Sequence, residues 1–203
     1  AVAEIAHQRG AKLFVDAIQA LGVFPLDVQR TPVDYLAADG HKWLLAPEGT
    51  GVLYIRNSEL NAVRTLGLGW NSVRQAGNFS DSRLDLKPSA ARHEGGSLHS
   101  AGVIALGVAI DLLLKSGIAD LSQRLLEVTD ELADRLASEG ARIASERGEL
   151  WGSDRRSGII AFDWPGIDPA QARRHCLSRN VALNSRQGRL RVSPHVYHHP
   201  DDT

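Results

Sequence analysis

Two short apolar runs that end in polar side chains constrain the fold of this chain more than any other feature. They span residues 13–19 and 37–43. The polar groups at their ends are Asp16, Gln19, His41 and Lys42. This pattern is typical of buried strands that deliver side chains to the carboxyl edge of a parallel sheet, where open α/β sheets bind ligands. The sequence therefore predicts an α/β fold with a ligand site at that edge.

The overall composition excludes several classes of protein. The chain has 203 residues, a net charge of −1 and a single cysteine. A neutral balance argues against nucleic-acid partners and basic membrane patches. No apolar run approaches the ~18 residues of a membrane span. Because one cysteine cannot form an internal disulfide framework, we expect a cytoplasmic protein.

The pattern of turns and apolar periods predicts the order of the elements. Strands are predicted at 12–15, 35–38, 51–55, 158–164, 181–185 and 189–193. Helices are predicted at 1–8, at 100–114 (buried on most sides), at 118–138, and from Pro169 with Asp168 as the N-cap. A polar, glycine-containing stretch from 64 to 96 is predicted to be a long functional loop region.

The two ends of the sequence are abrupt. The chain contains no methionine, residue 1 falls inside a predicted helix, and residues 200–203 resemble the start of a further helix. From these observations we expect an internal piece of a longer protein.

The polar groups at the predicted edge form the set that pyridoxal phosphate requires. A lysine that binds a carbonyl carbon needs a rigid position, which a glycine-bearing turn after a buried strand provides for Lys42. Asp16 can pair with the pyridine nitrogen and make the ring an electron sink. Gln19 can bond the phenolic oxygen, and His41 can contact the ring or the phosphate. Taken singly, each of these residues is equally typical of an ordinary loop.

Five segments together resemble the class V aminotransferase family. They are residues 15–19 (Val-Asp-Ala-Ile-Gln), 39–43 (Asp-Gly-His-Lys-Trp), 47–54, 92–97 (Arg-His-Glu-Gly-Gly-Ser) and 189–197. The likeness covers nearly the whole chain in order. The family includes cysteine desulfurases, selenocysteine lyases, isopenicillin-N epimerase-like proteins and kynureninase.

The resemblance implies a fold-type I pyridoxal phosphate enzyme, a homodimer with its active sites at the interface. Its large domain combines a mostly parallel sheet with helices. Residues 1–116 would be the carboxyl-terminal part of that domain, 117–139 a long connecting helix, and 140–203 a truncated small α+β domain. The amino-terminal half of the large domain would be missing from this chain.

The resemblance also assigns roles to individual residues. Lys42 falls on the lysine that binds the cofactor as an internal aldimine and moves protons, and Asp16 falls on the partner of the pyridine nitrogen. The remaining assignments are Gln19 to the phenolic oxygen, His41 to the surroundings of the phosphate, Ser97 to the phosphate of the neighbouring subunit's cofactor, and Arg191 to the substrate carboxylate.

Two positions depart from the family pattern. Asp39 stands where cysteine desulfurases often have a phosphate-binding serine, so we expect its carboxylate to turn away or to accept bonds from backbone amides. The link 184–189 lacks the nucleophilic cysteine that desulfurases carry before the arginine. Cys176 falls in a predicted helix, where we expect a small buried residue.

We expect no metal site at His195, His198 and His199, because no carboxylate or cysteine accompanies them.

These residues favour a pyridoxal phosphate enzyme acting on an amino-acid-like substrate, isopenicillin-N epimerase-like or aminotransferase-like. One alternative is a cysteine desulfurase or selenocysteine lyase on the same scaffold. A second alternative is a non-catalytic fragment that binds the cofactor poorly by itself.

Overall fold

The computed structural model describes residues 2–150, 153–154 and 156–198, and this part of the chain divides into two compact units between Ala119 and Asp120. The elements in chain order are α1 (Val2–Gln8), β1 (Phe14–Asp16), β2 (Tyr35–Asp39), β3 (Gly51–Ile55), α2 (Ser100–Ser116), α3 (Ile118–Ser138), β4 (Arg142–Ile143), β5 (Glu149–Leu150), β6 (Ser153–Asp154), β7 (Ile160–Asp163), α4 (Pro169–Leu177), β8 (Asn184–Arg186) and β9 (Arg189–Val192). The strands and helices predicted from the sequence are therefore confirmed within a few residues at each end. The strands β4, β5 and β6 were not predicted. Residue 1 and residues 199–203 lie outside the described residues.

The first unit is built on a three-stranded sheet in the order β1–β2–β3. β1 runs parallel to β2 and aligns Asp16 with Ala37, whereas β3 runs antiparallel to β2 and aligns Gly51 with Asp39. The carboxyl ends of β1 and β2 therefore share one edge of the sheet with the start of β3.

The mostly parallel sheet is what the resemblance implies for the whole large domain; the described residues contain one parallel pairing of it, β1–β2. The antiparallel return of β3 follows from its connection. A parallel return needs a crossover of about a dozen residues or more, usually a helix. The link between β2 and β3, residues 40–50, contains no helix, so β3 turns back antiparallel.

A buried carboxylate connects several elements of the first unit at the opposite end of these strands, where β1 and β2 begin. Asp34 is 2% exposed, and its Oδ2 accepts bonds from the backbone N–H of Leu13 (2.8 Å) and from His7 Nε2 (2.7 Å). Arg56, which follows β3, lies with its Nε 3.6 Å from Asp34 Oδ1. Burial raises the pKa of Asp34, but the bonds from Leu13 and His7 outweigh it and hold the pKa below its usual value of 3.8.

Helix α2 differs from its prediction. It was expected to be buried on most sides, yet only Gly102, Leu106, Ala109 and Leu113 are buried along it. On its opposite side Ile104 is 68% exposed and Val108 is 66% exposed. An almost wholly apolar sequence shows that a helix has much surface to bury, but not how many neighbours cover it.

The second unit packs α3 and α4 on a four-stranded antiparallel sheet in the order β4–β7–β9–β8. Its buried core consists of Ala133, Ala141, Ile160, Phe162 and Leu190. The predicted start of α4 is confirmed, because Asp168 Oδ1 accepts a bond from the Gln171 N–H at 2.7 Å and a proline occupies the first turn. Within the described ranges, no single helix is long and apolar enough to cross a membrane.

The first prediction concerns Asp34. Asp34→Asn should lower the free energy of unfolding by about 3 kcal/mol at pH 7, because it removes a buried, hydrogen-bonded charge. Since the pKa of Asp34 is lowered by folding, its contribution is complete above the unfolded value near 3.8 and disappears as the pH falls through the folded value. Urea unfolding should therefore show a difference in the free energy of unfolding between the wild type and Asp34→Asn, and this difference should decrease only in acid.

The matched control for this experiment is Asp111→Asn, which removes the same charge from an exposed position of α2. That variant should unfold within about 0.5 kcal/mol of the wild type. Equal stability of the two variants at pH 7 would contradict the structural role assigned to Asp34.

Candidate cofactor site

The structure brings the predicted lysine and aspartate to the same edge of the first sheet. Asp16 is the last residue of β1, and Lys42 lies three residues beyond the end of the parallel strand β2. The side chain of Asp16 is exposed, and its Oδ1 accepts the Ile18 N–H at 3.0 Å. Lys42 is half-buried. The carboxyl end of this parallel strand pair therefore carries the carboxylate of Asp16 and, three residues beyond β2, the amine of Lys42.

The turn that carries Lys42 is closed by backbone bonds. The Gly40 N–H donates to the carbonyl of Thr50 at 2.7 Å, and the Ala46 N–H donates to the carbonyl of Gly40 at 2.9 Å. A side chain at position 40 would meet Thr50 Oγ1 at 2.8 Å, so only glycine fits there without a shift. These bonds fix the backbone on both sides of Lys42, which supplies the rigidity that a covalent cofactor lysine needs.

A second backbone segment packs directly against this turn. Gly22 has a φ of +103°, and a Cβ built on it would lie 2.5 Å from the carbonyl oxygen of Trp43. Trp43 itself is 6% exposed. Sequence reasoning missed both supports. The adjacency of Trp43 to Lys42 was a possible signal, but the approach of Gly22 joins positions that are distant in the chain.

Gln19 is oriented by Trp43. The indole Nε1 of Trp43 donates to Gln19 Oε1 at 3.3 Å. This bond fixes the orientation of the amide, whose nitrogen is the end of Gln19 that donates to a ligand. A donor at this position is what the phenolic oxygen of pyridoxal phosphate requires.

Asp39 and His41 pair with each other and with the backbone. Asp39 Oδ1 accepts the Gly40 N–H at 3.0 Å and lies 3.3 Å from His41 Nδ1. This agrees with the expectation that Asp39 bonds a backbone amide rather than a phosphate. The His41 ring is about one-third exposed, so a ligand can reach it.

Ser97 lines a cavity of the first unit. This cavity has a volume of about 320 Å³ and is bounded by residues 49–51 and 93–99 together with Val103. None of the other predicted site residues lines it. His93 also lines the cavity, and its buried Nε2 has no hydrogen-bond partner. Thr50 and Gly51 of this lining also contact the Lys42 turn, because the Thr50 carbonyl accepts the Gly40 N–H and Gly51 aligns with Asp39. The cavity of Ser97 therefore borders the segment that carries Lys42.

Arg191 lies in the second unit, on β9. It aligns with Asn184 of β8 and with Ala161 of β7. It is half-buried, and its Nε is buried without a hydrogen-bond partner among the described atoms. A buried guanidinium nitrogen without a partner is consistent with an anionic ligand.

The link before Arg191 is a tight hairpin. Gln187 and Gly188 have φ values of 52° and 75° and form a two-residue turn between β8 and β9. Such a turn requires left-handed conformations at both positions. The hairpin contains no cysteine and leaves no room for a longer loop that could carry one.

The remaining candidates of the second unit take structural positions. Cys176 lies on α4 as predicted, but it is half-buried rather than buried. No residue of that helix is fully buried. The rings of His195 and His198 both stack on the Tyr197 ring, and their centroids lie 4.3 Å and 5.1 Å from that of Tyr197, respectively. Burial, and then the charge of His198, lowers the pKa of His195 to about 4. His199 lies outside the described residues.

In the described ranges, no three histidine, cysteine, aspartate or glutamate side chains come together as a metal site. The groups at the sheet edge instead match pyridoxal phosphate by their chemistry. A carboxylate, an amide donor, an imidazole and an amine stand within two adjacent loops, all exposed or half-buried. The bond from Trp43 orients Gln19, and the bond from the Gly40 N–H to the Thr50 carbonyl fixes the backbone beside His41 and Lys42. The residues present therefore fit this cofactor.

Comparison with known proteins points in the same direction. The family model described as aminotransferase class-V matches residues 1–199. A probable cysteine desulfurase of Methanothermobacter thermautotrophicus is 29% identical over 97% of this chain and 51% of its own length. The isopenicillin N epimerase of Streptomyces clavuligerus is 31% identical over 84% of this chain and 44% of its own. Several other relatives are named cysteine desulfurases.

The fold matches as well. The apo structure of a cysteine desulfurase from Thermococcus onnurineus NA1 superposes with a TM-score of 0.86 at 23% identity, over 99% of this chain and 52% of that one. The chain thus spans about half the length of the relatives it matches. The resemblance inferred from the five sequence segments is confirmed.

The second prediction tests the support of the Lys42 turn. Gly22→Ala should lower the free energy of unfolding by about 2–4 kcal/mol, because it adds a clash with the Trp43 backbone to the strain of a positive φ. Gly10→Ala is the matched control, since Gly10 has a φ of +69° and open space around its Cβ. It should cost only about 1 kcal/mol. Equal losses in urea unfolding would show that the contact with Trp43 contributes nothing.

Proposed function

Because this chain belongs to the aminotransferase class-V family, we propose that it acts in a pyridoxal phosphate-dependent reaction on an α-amino acid, with Lys42 as the catalytic residue. One observation carries the proposal. The rigid turn of Lys42 and the carboxylate of Asp16 lie at the same edge of a parallel strand pair. When bound, the cofactor supplies an electron sink for bond cleavage at the substrate α-carbon.

The residues at the edge would each perform one task. The amine of Lys42 would hold the cofactor and then take and return the proton at the substrate α-carbon as general base and acid. The carboxylate of Asp16 would keep a proton on the pyridine nitrogen. Gln19 would donate to the phenolic oxygen through its amide nitrogen, and His41 would lie against the ring or the phosphate.

Two further roles rest on the family resemblance. Arg191 would bind the substrate α-carboxylate, a task that suits a planar guanidinium with two parallel donors. Ser97 would reach the phosphate of the cofactor held by a partner subunit, in a homodimer.

Two reactions are candidates on this scaffold. The names of the relatives favour a cysteine desulfurase, which releases sulfur from cysteine. The hairpin before Arg191 favours epimerisation or amino transfer, because it carries no thiol that could accept sulfur. Cys176 is the single thiol of the chain, and it lies half-buried on α4.

The third prediction tests the lysine. Incubation with pyridoxal phosphate followed by borohydride reduction should attach the cofactor covalently to Lys42, which peptide mass mapping would identify. Reduction makes even weak, reversible binding permanent, so the test does not depend on high affinity. Lys42→Ala should lose this label by at least about tenfold, whereas Lys115→Ala, at an exposed position of α2, should retain it. Equal labelling of the two variants would refute the assignment.

The fourth prediction tests whether Cys176 takes part in the reaction. Cys176→Ser should match the wild type within about twofold, both in sulfide release from cysteine and in racemisation or amino transfer of other amino acids. The reason is that α4 offers a half-buried thiol rather than one on an exposed hairpin. A loss of sulfide release by about tenfold or more would instead identify Cys176 as the sulfur acceptor.

A further inference from the structure

The sheet of the second unit has two chemically different faces. Along β7 and β9, Ile160, Phe162 and Leu190 are buried in the core, so the residues between them point to the opposite face. This alternation follows from the two-residue period of a strand. We call that opposite face the arginine face. Its charged members among the described strands are Arg142, Asp163, Arg186, Arg189 and Arg191.

The arginine face is strongly cationic. It carries four arginines and one aspartate, although the whole chain has a net charge of −1. Asp163 aligns with Arg142 on one side, and its Oδ1 lies 3.6 Å from Arg189 Nε on the other. Among the described residues, no acidic side chain pairs with Arg186 or Arg191. The positive charge is therefore concentrated on the β8–β9 hairpin.

The register of the hairpin places two of these arginines directly opposite each other. Arg186 and Arg189 are aligned partners on either side of the two-residue turn. Like charges at directly opposite positions destabilise an antiparallel pair, because their Cβ atoms are only about 5 Å apart. Asp163 offsets part of this repulsion through Arg189, whereas Arg186 has no acidic partner among the described residues. An anion between the two guanidinium groups would convert the remaining repulsion into binding.

Arg191 continues the same face two residues further along β9. Its aligned partner is Asn184, which adds an amide group beside it. Its buried Nε has no hydrogen-bond partner. The face therefore offers two adjacent places for anions, one at Arg191 and one between Arg186 and Arg189.

We propose that the arginine face binds a substrate with two anionic groups. Arg191 takes the α-carboxylate, and Arg186 with Arg189 takes a second anionic group, a carboxylate or a phosphate, at the other end of the substrate. The inference rests on the proposed function in one respect, the role of Arg191. Arg186 and Arg189 are thereby specificity-determining residues.

Calorimetric titration of the chain without added cofactor provides the test. The probes are two matched pairs, glutamate against glutamine and phosphoserine against serine, which differ only in the second anionic group. We expect the anionic member of at least one pair to bind about tenfold more tightly than its neutral partner. The pair that shows this preference distinguishes a carboxylate from a phosphate.

Three variants locate the preference. Arg186→Gln and Arg189→Gln should each reduce the anionic-to-neutral affinity ratio by about fivefold or more, while Arg191→Gln should weaken both members of a pair. Arg173→Gln removes the same charge from an exposed position of α4 and should leave the ratio unchanged. The melting temperature of Arg186→Gln should equal or exceed that of the wild type, because the substitution relieves repulsion. If Arg186 had a purely structural role, its replacement by glutamine would lower the melting temperature.

The proposal is overturned if both members of each pair bind equally, if none binds at millimolar concentration, or if the Arg173→Gln variant loses the preference as strongly as Arg186→Gln. The proposed function is judged by the labelling of Lys42, which needs no substrate. Failure of one experiment is therefore distinguishable from failure of the other.

Discussion

The buried carboxylate of Asp34 is the interaction on which the first unit depends. Asp34 Oδ2 accepts the N–H of Leu13, and the carbonyl of Leu13 accepts the N–H groups of Asp34 and Tyr35 at 3.1 Å each. These bonds fix the start of β1 beside the start of β2. The register then places Asp16 opposite Ala37 at the far end of both strands. The buried carboxylate of Asp34 at the start of these strands thus sets the position of the Asp16 carboxylate at their carboxyl ends. Lys42 follows β2 at that same end.

The second unit depends on a different constraint, the separation of its sheet into an apolar and a charged face. One face packs on α3 through residues such as Ile160 and Phe162, and this packing fixes the register of β7 with β9. The same register leaves Arg189 and Arg191 on the other face. Hydrophobic burial therefore supplies the free energy that holds like charges together on the hairpin, which the charges themselves oppose.

Much of the candidate site could be predicted from the sequence because its signals are local. The apolar runs before Asp16 and Lys42 identify strand ends, and strand ends share an edge when the strands are parallel. The supports of Lys42 could not be predicted in this way. Gly22 contacts the backbone of Trp43 across about twenty positions of sequence, and such a contact leaves no mark in the spacing of residues. The burial of α2 was overestimated for a related reason, since composition does not report how many neighbours a helix has.

The sequence by itself determined the family, the positions of the four helices and of six of the nine described strands, and the residues proposed to hold a cofactor. Motif residues and periodicity are properties of neighbouring positions, so they can be recognised without coordinates. Only the tertiary structure decided that β3 returns antiparallel and that Arg186 stands opposite Arg189. These features depend on register and on long-range packing, which are set by the free energy of burying whole faces rather than by any short segment.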